Sequence, residues 1–582
     1  MRSGPLATLI ALCAGVLPAA VALWMLVHHW VPVPYADEWK TPGEQIVSYY
    51  RGTLTLEELC SQHNESRKLF PRLVYLAVAI ATHWDVRIIM ALSFALVCGG
   101  SVLLYLLARR CCGSPLASAC CFAAMNVWLF WPRQYETFVL SIQGELFVPP
   151  FALAAACLVN LSRRPTWWKA GVNATLAHVS TYTVANGMLV WPLAFPIVSA
   201  KAQAGAETNP GGRQLWPRLA YLAAATASIG CYFYGYQHPP LAPPMVLSVE
   251  RWPELAAFVG RWLGDLTLVG APLVAGTLIA LLFTLLAATA IWRCRVNGEW
   301  RQHYPFLVLG LYTIVSGCVA AVGRLAFGPE AAMHSRYAPY TAFLYIAAAG
   351  LLGSIHGQIR SRKVATLWRA ACAIAAVTVL VMGVSAFAKE RSLLAETTAD
   401  RRHLLQVVRW SKAIPANPDL RHLSPYENTT AVIRELDQLG VLYPPLVDEQ
   451  LASAVSRPPV DAATTAGALE RVALASSAAE LLIEGWAQTP EGGVPADCAV
   501  IGYETAGAEW KPFTVIETGA KRQDVAARFG SDQLLRAGFK GRVLTAGLPP
   551  GELTFRAWSV ALDARRAAPL HGAPALEFPP AD

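Results

Sequence analysis

A polytopic all-α membrane domain of about eleven transmembrane helices, followed by a small all-β sandwich domain, is the fold class this sequence predicts. Three observations predict it. Of 582 residues, 55% are hydrophobic and only 15% charged, whereas soluble domains carry roughly a quarter charged residues. Apolar runs of about 20 residues, the length that crosses a bilayer, recur between residues 6 and 387. From about residue 478 the pattern changes to short β-branched and aromatic stretches separated by Gly/Pro turns, the spacing of a β-sandwich.

The apolar runs fall near 6–30, 86–108, 114–131, 138–160, 166–184, 187–203, 217–236, 267–292, 304–326, 336–356 and 365–387. The first has one Arg and then an apolar stretch ending in His28, His29 and Trp30. A cleaved signal peptide has an apolar core of only about 7–15 residues, so this run reads as a retained span. With the N-terminus inside, the inner connections hold Arg109 and Arg110; Arg163, Arg164 and Lys169; Lys201, Arg213 and Arg218; Arg293, Arg295 and Arg301; and Arg360, Arg362 and Lys363. Every inner connection is basic, as the positive-inside rule requires. The net charge of +8 is therefore a record of topology and no sign of nucleic-acid binding. An odd number of spans puts the tail outside.

The run 69–84 is apolar but short and contains Arg72. As a span it would reverse every later loop, so it reads as an interfacial helix. The outer loop 32–85 then carries helices near 42–51, 55–68 and 69–84. A second structured outer loop, 237–266, opens on the helix-breaking "HPPLAPP". The domains are 1–388, membrane; 389–475, helical connector and linker; and 476–582, the β-sandwich. Most of the 13 cysteines lie inside apolar runs with no metal-ligand spacing, which argues against zinc and a disulfide framework.

Under this topology the conspicuous polar residues gather on the outer side. "PYADEWK" places Asp37 and Glu38 just past the first span. "SQHNESRKLFPR" supplies His63, Asn64, Glu65, Arg67 and Arg72; "WPRQYETFVLSIQGE" supplies Arg133, Gln134, Glu136, Gln143 and Glu145. "VANGM" adds Asn186, and "GRLAFGPEAAMHSRY" adds Arg324, Glu330, His334, Arg336 and Tyr337. Each has a plainer use. Arginines near helix ends snorkel, Gln and Glu glue helices together, and an acidic pair in a loop is simply solvated. Glu145 lies deeper, where a charge costs roughly 2.5–3.5 kcal/mol and needs a partner. Two arginines flanking one short loop also suit a phosphate, through charge and forked donors.

Carboxylates at an outer membrane face with arginines at similar depth fit transfer of a sugar from a lipid phosphate carrier. A carboxylate takes the proton from the attacking acceptor hydroxyl, and arginines stabilise the departing phosphate. No glycine-rich nucleotide fingerprint accompanies them.

The layout resembles the GT-C superfamily of integral-membrane glycosyltransferases. There an acidic pair just after the first span supplies the catalytic carboxylate, and the loop carries a membrane-lying helix. "YADEWK" occupies that place, so the resemblance implies Asp37 as base with Glu38 as companion. "HNESRKLFPRLVYLAVAIATHWDVRIIMALS" is similar to the helix-bearing element. The chain departs from the family where a His-Pro-Pro element is replaced by His63-Asn64-Glu65. More narrowly, "ADEW…QHNESR..FPRL…ANG…GR…SRY" resembles a group of bacterial polytopic proteins. The tail, in "IEGWAQTPEGGVPADCAVIGYE…KRQDVAARFG…AGFKGRVLTAGLPPGELTFRAWSVALD", is similar to a β-sandwich module of bacterial glycan-synthesis proteins, with Trp486 as a core aromatic and Asp524 as a turn or cap residue. Trp510, Trp558 and an exposed Tyr503 are candidates for core packing or sugar stacking.

The resemblance implies a multi-pass protein of the bacterial inner membrane, with a cytoplasmic N-terminus and a periplasmic C-terminal domain. Its partners would be a polyprenyl-phosphate-sugar donor, a lipid or glycan acceptor and the bilayer. No cofactor is evident, and a divalent cation is left open. Competing expectations are a lipid-linked glycan transporter or flippase, an O-antigen-type polymerase or ligase, and a non-catalytic envelope-assembly protein.

Overall fold

The computed structural model describes residues 4–197, 210–239, 248–267, 270–298, 300–356, 359, 361–459, 466–475, 479–505 and 509–578. The end of the 187–203 run and most of the proline-rich break lie outside the described residues. The chain divides into two compact units that do not follow chain order. The first takes Met1–Trp30, Thr55–Val74 and Ile88–Ala395; the second takes Val31–Leu54, Tyr75–Arg87 and Glu396–Asp582.

Among the described residues seven helices are long and apolar enough to cross a membrane: Pro5–His29, Val86–Cys111, Ser141–Leu161, Pro272–Val296, Trp300–Phe327, Ser335–His356 and Lys363–Arg409. The pair Pro115–Leu129 and Pro132–Val139, bent by 47°, makes an eighth if it is one span. These helices are compatible with a multi-pass membrane protein. Some apolar runs take other forms. The described part of 187–203 forms only short turns, Ala185–Leu189 and Val190–Leu193, because Pro192 and Pro196 have no amide to donate. The last run does not stop at 387. It continues as one 48-residue helix, Arg362–Arg409, since 388–409 contain neither Gly nor Pro to end it. The expected helix at 55–68 stops at Cys60 and is replaced by a hairpin of β1 (Gln62–His63) and β2 (Ser66–Arg67). Asn64 turns it with φ +49°, a conformation Asn tolerates better than most residues.

In the first unit the helices Trp252–Gly264 and Pro272–Asn297 touch through glycine. A Cβ at Gly264 would stand 1.8 Å from the Pro272 carbonyl oxygen, and one at Gly276 would stand 1.7 Å from that of Gly260. Small residues four apart let backbones approach this closely.

The second unit holds an all-β, half-barrel sheet: β3 (Gly467–Leu474), β4 (Glu480–Ala487), β5 (Cys498–Thr505), β6 (Lys511–Ala520), β7 (Gly538–Leu544), β8 (Gly551–Ala561), β9 (Arg566–Pro569) and β10 (Ala575–Phe578). The order is β10-β8-β5-β6-β7-β4-β3, with β9 also on β8. The expected sandwich of two facing sheets is thus one continuous curled sheet. The join is β6, which pairs β5 along its first part and β7 at its end. There the register slips at Gly519, whose φ of +147° suits glycine. Inside the curl lie Ile483, Ile501, Phe539, Phe555 and Leu553. Across the other face of β5, β6 and β8 pack Trp410, Ile414, Val447 and Leu451. Both faces are therefore covered, which explains the unbroken apolar run "CAVIG". Tyr503, expected as exposed, is buried in the inner core. Trp510 donates its ring N–H to Val455 O at 2.9 Å and is also buried. Trp486 packs with Val525, Leu534 and Ala537. All 13 cysteines are unbonded.

Replacing Gly276 by Val forces two backbones apart. We expect a loss of roughly 1–3 kcal/mol, seen as earlier thermal unfolding in detergent, while Gly171→Val, with open space around it, leaves the transition unmoved.

Candidate functional site

The acidic pair belongs to the second unit. Ala36–Trp39 forms a 3-10 turn, and Trp39 is fully buried edge-on to Trp84, ring centroids 5.5 Å apart. The turn gives the two carboxylates different tasks. Glu38 is 2% exposed and accepts the Tyr35 backbone N–H at 2.7 Å, closing the start of the turn. Asp37 is half-buried and accepts the Tyr426 hydroxyl at 3.0 Å. Burial, and then the Asp37 charge, push the Tyr426 phenol well above its ordinary range, so it remains a donor. Lys40 sits 4.8 Å over the Tyr426 ring. The same stretch is fastened by Asn428 Nδ2 to Glu44 at 2.7 Å and by Arg51 to Glu435 at 3.0 Å.

The remaining candidates belong to the first unit, and the structure sorts them. Arg67 spends its guanidinium on the carbonyls of Tyr232, Cys60 and Tyr234. Arg72, 1% exposed, donates to those of Glu58, Leu59 and Ser61. Gln134 is fully buried and donates to Trp128 O and Leu129 O, satisfying the end of the broken helix. His63 is buried in the hairpin and Asn64 is its turn. Glu136, Gln143 and Asn186 are half-buried, and Gln143 Oε1 accepts no hydrogen bond among the described residues. Glu145 has its partner in Lys68, at 2.6 Å.

Four residues do come together. Arg133 lies in the turn Pro132–Gln134 where the helix breaks. Arg324 is the last residue of the Trp300–Arg324 helix, where a cation meets the negative end of the helix dipole. His334 and Arg336 lie in the 3-10 stretch that follows. His334 is partly in solvent; such burial as it has, then the charges of Arg336, Arg133 and Arg324, hold its pKa below the ordinary 6.5. Its imidazole is therefore neutral at pH 7 amid three guanidinium groups. Arg324 pairs with Glu65 at 2.5 Å, and Arg133 donates to Met333 O at 2.8 Å and Asp265 Oδ1 at 3.3 Å. Arg336 is exposed, 5.3 Å over the half-buried Tyr337 ring.

Lys68, Asp265, Glu390 and Tyr426 are the participants that sequence reasoning passed over. Asp265 ends an interfacial-looking helix and Glu390 opens a segment that reads as soluble, so neither looks like the buried group it is. Among the described residues no group of three or more His, Cys, Asp or Glu is placed to hold a metal. No protein-family model, curated protein or solved structure matches the chain.

As pH falls, the unfolded chain protonates at position 334 before the folded one, so this residue costs stability below about pH 6.5. We expect the His334 imidazole, identified by NMR against His334→Gln, to titrate below 6.5. A phosphate monoester bound among the arginines should move that titration upward; an unchanged titration at saturating ester would show that the group holds no anion.

Proposed function

We propose that the chain is an integral-membrane glycosyltransferase of the GT-C kind, moving a sugar from a polyprenyl-phosphate carrier to an acceptor hydroxyl in cell-envelope glycan synthesis. The observation that carries this reading is the cationic group of Arg133, Arg324 and Arg336 around a neutral His334. Each arginine stands where an apolar helix breaks, ends or begins. Glu65 and Asp265 balance two of them, so an arriving phosphate exchanges carboxylate partners for its own oxygens. Forked guanidinium donors suit a phosphate, and their positive charge favours its departure from the sugar.

For the base we assign Asp37. Glu38 is buried and engaged in closing its turn, whereas Asp37 is half-exposed and accepts from the Tyr426 hydroxyl. The accompanying topology has the N-terminus inside and an odd number of crossings, which carries the chain beyond the Arg362–Arg409 helix to the extracytoplasmic side. Reporter fusions at residue 582 test it.

Asp37→Asn keeps size and removes the base, so transfer should fall roughly 100- to 10,000-fold with membrane insertion intact. Glu38→Gln should disturb folding more than rate, and Tyr426→Phe should lower the rate modestly. An unaltered glycan profile from correctly inserted Asp37→Asn protein would sink the base assignment. Arg336→Gln, with its side chain exposed, should weaken donor binding without unfolding the protein.

One observation favours a second reading, a transporter of lipid-linked glycan: buried carboxylates within an apolar helix bundle often mark transport paths. In that case Asp37→Asn leaves activity intact, while neutralising Asp265 abolishes it.

A further inference from the structure

Arg133 is shared between two buried carboxylates. Its Nη2 lies 3.3 Å from Asp265 Oδ1, and its Nη1 lies 3.7 Å from Glu390 Oε1. Both acids are enclosed, with side chains 4% and 1% exposed. Three of their four oxygens, Asp265 Oδ2 and both of Glu390, are buried without a hydrogen-bond donor among the described residues. Two ionised carboxylates with so few donors are costly in an apolar setting. The other charged or titratable groups facing them are few. Lys389 acts on both acids from the exposed side of its helix, where water screens it. Tyr345 faces Asp265 but gives its hydroxyl hydrogen to Leu263 O. Tyr135 and His334 face Arg133.

We propose that Asp265 and Glu390, bridged by Arg133, form a proton-binding site, and that an anionic group engaged by Arg133 is taken up together with that proton. The proton comes from solvent and sits on a carboxyl oxygen, supplying the O–H donor the pair lacks. It cancels one of the two negative charges and leaves one carboxylate for the one guanidinium. Burial raises the Asp265 carboxyl to about 6 even with Arg133 beside it, which places this proton near the neutral range. When Arg133 turns part of its charge to an outside anion, the acids lose that counter-charge and hold the proton more tightly. Arg133 is the only one of the three whose side chain retains appreciable exposure, at 22%, so it is the member an anion can reach. The anion's identity rests on the phosphate reading above; the proton site does not.

The proton site is tested on the full-length protein in detergent by infrared titration of the carboxylic-acid carbonyl stretch. A band that grows as pH falls through about 6, and is lost in both Asp265→Asn and Glu390→Gln, is expected. If neither substitution alters the titrating bands, the site is refuted. The coupling is tested with inorganic sulfate, whose charge is constant over this range, in a His334→Gln background that removes the imidazole's own proton. Sulfate affinity by calorimetry should fall up to about tenfold per pH unit above the titration, the limit for one co-bound proton. Adding Glu390→Gln should make it flat. A pH-independent sulfate affinity in the His334→Gln protein overturns the coupling. Absence of sulfate binding at any pH overturns both the coupling and the phosphate reading, while the infrared band still decides the proton site.

Discussion

A charge held in an apolar bundle has to meet its opposite, and the polar architecture of the first unit follows from that constraint. Lys68 meets Glu145, Arg324 meets Glu65, and Arg133 meets Asp265 and Glu390. Breaking the enclosed Lys68–Glu145 pair, or the bridge of Arg133 to Asp265 and Glu390, leaves an uncompensated buried charge and costs several kcal/mol, so each fixes the elements that carry it. The hairpin 62–67 is held this way, with Glu65 in its turn and main-chain carbonyls taking the donors of Arg67. Among the described residues, pairing is incomplete at the two acids beside Arg133, whose remaining oxygens are buried without a donor.

Much of the helical part was legible because hydrophobic length is written directly in the sequence. Pro5–His29, Val86–Cys111 and Trp300–Phe327 match apolar runs closely. Length alone misleads where prolines interrupt a run, as at 192 and 196, and where a polar sequence still propagates helix, as beyond residue 388. The strands were legible too, but not their closure. Whether they form two sheets or one depends on which neighbours β6 takes at each end, a long-range choice that alternation within a strand does not encode. The burial of Tyr503 has the same origin, since its covering residues, Phe513 and Phe555, come from two other strands.

The candidate site was legible as a set of residue types and illegible as a set of partners. "HNES" marks a turn as readily as a ligand set, and only the positive φ of Asn64 shows it to be a turn. Glu38 and Asp37 are adjacent and chemically alike; the separation of their roles comes from Tyr35 on one side and Tyr426, far along the chain, on the other. Glu145 announced its need for a cation without naming Lys68. Two of the residues passed over, Asp265 and Glu390, sit at the ends of apolar stretches, where a carboxylate is ordinarily solvated.

The glycine contact between Trp252–Gly264 and Pro272–Asn297 reaches beyond packing. Gly264 immediately precedes Asp265, and its missing side chain is what lets the chain pass the Pro272 carbonyl before placing that carboxylate beside Arg133. The address of a buried charge is thus set by a neighbour that has no charge and no side chain. A single methyl group at position 264 would be read by the protein as a change in electrostatics, and sequence drift there is constrained by a residue it does not touch.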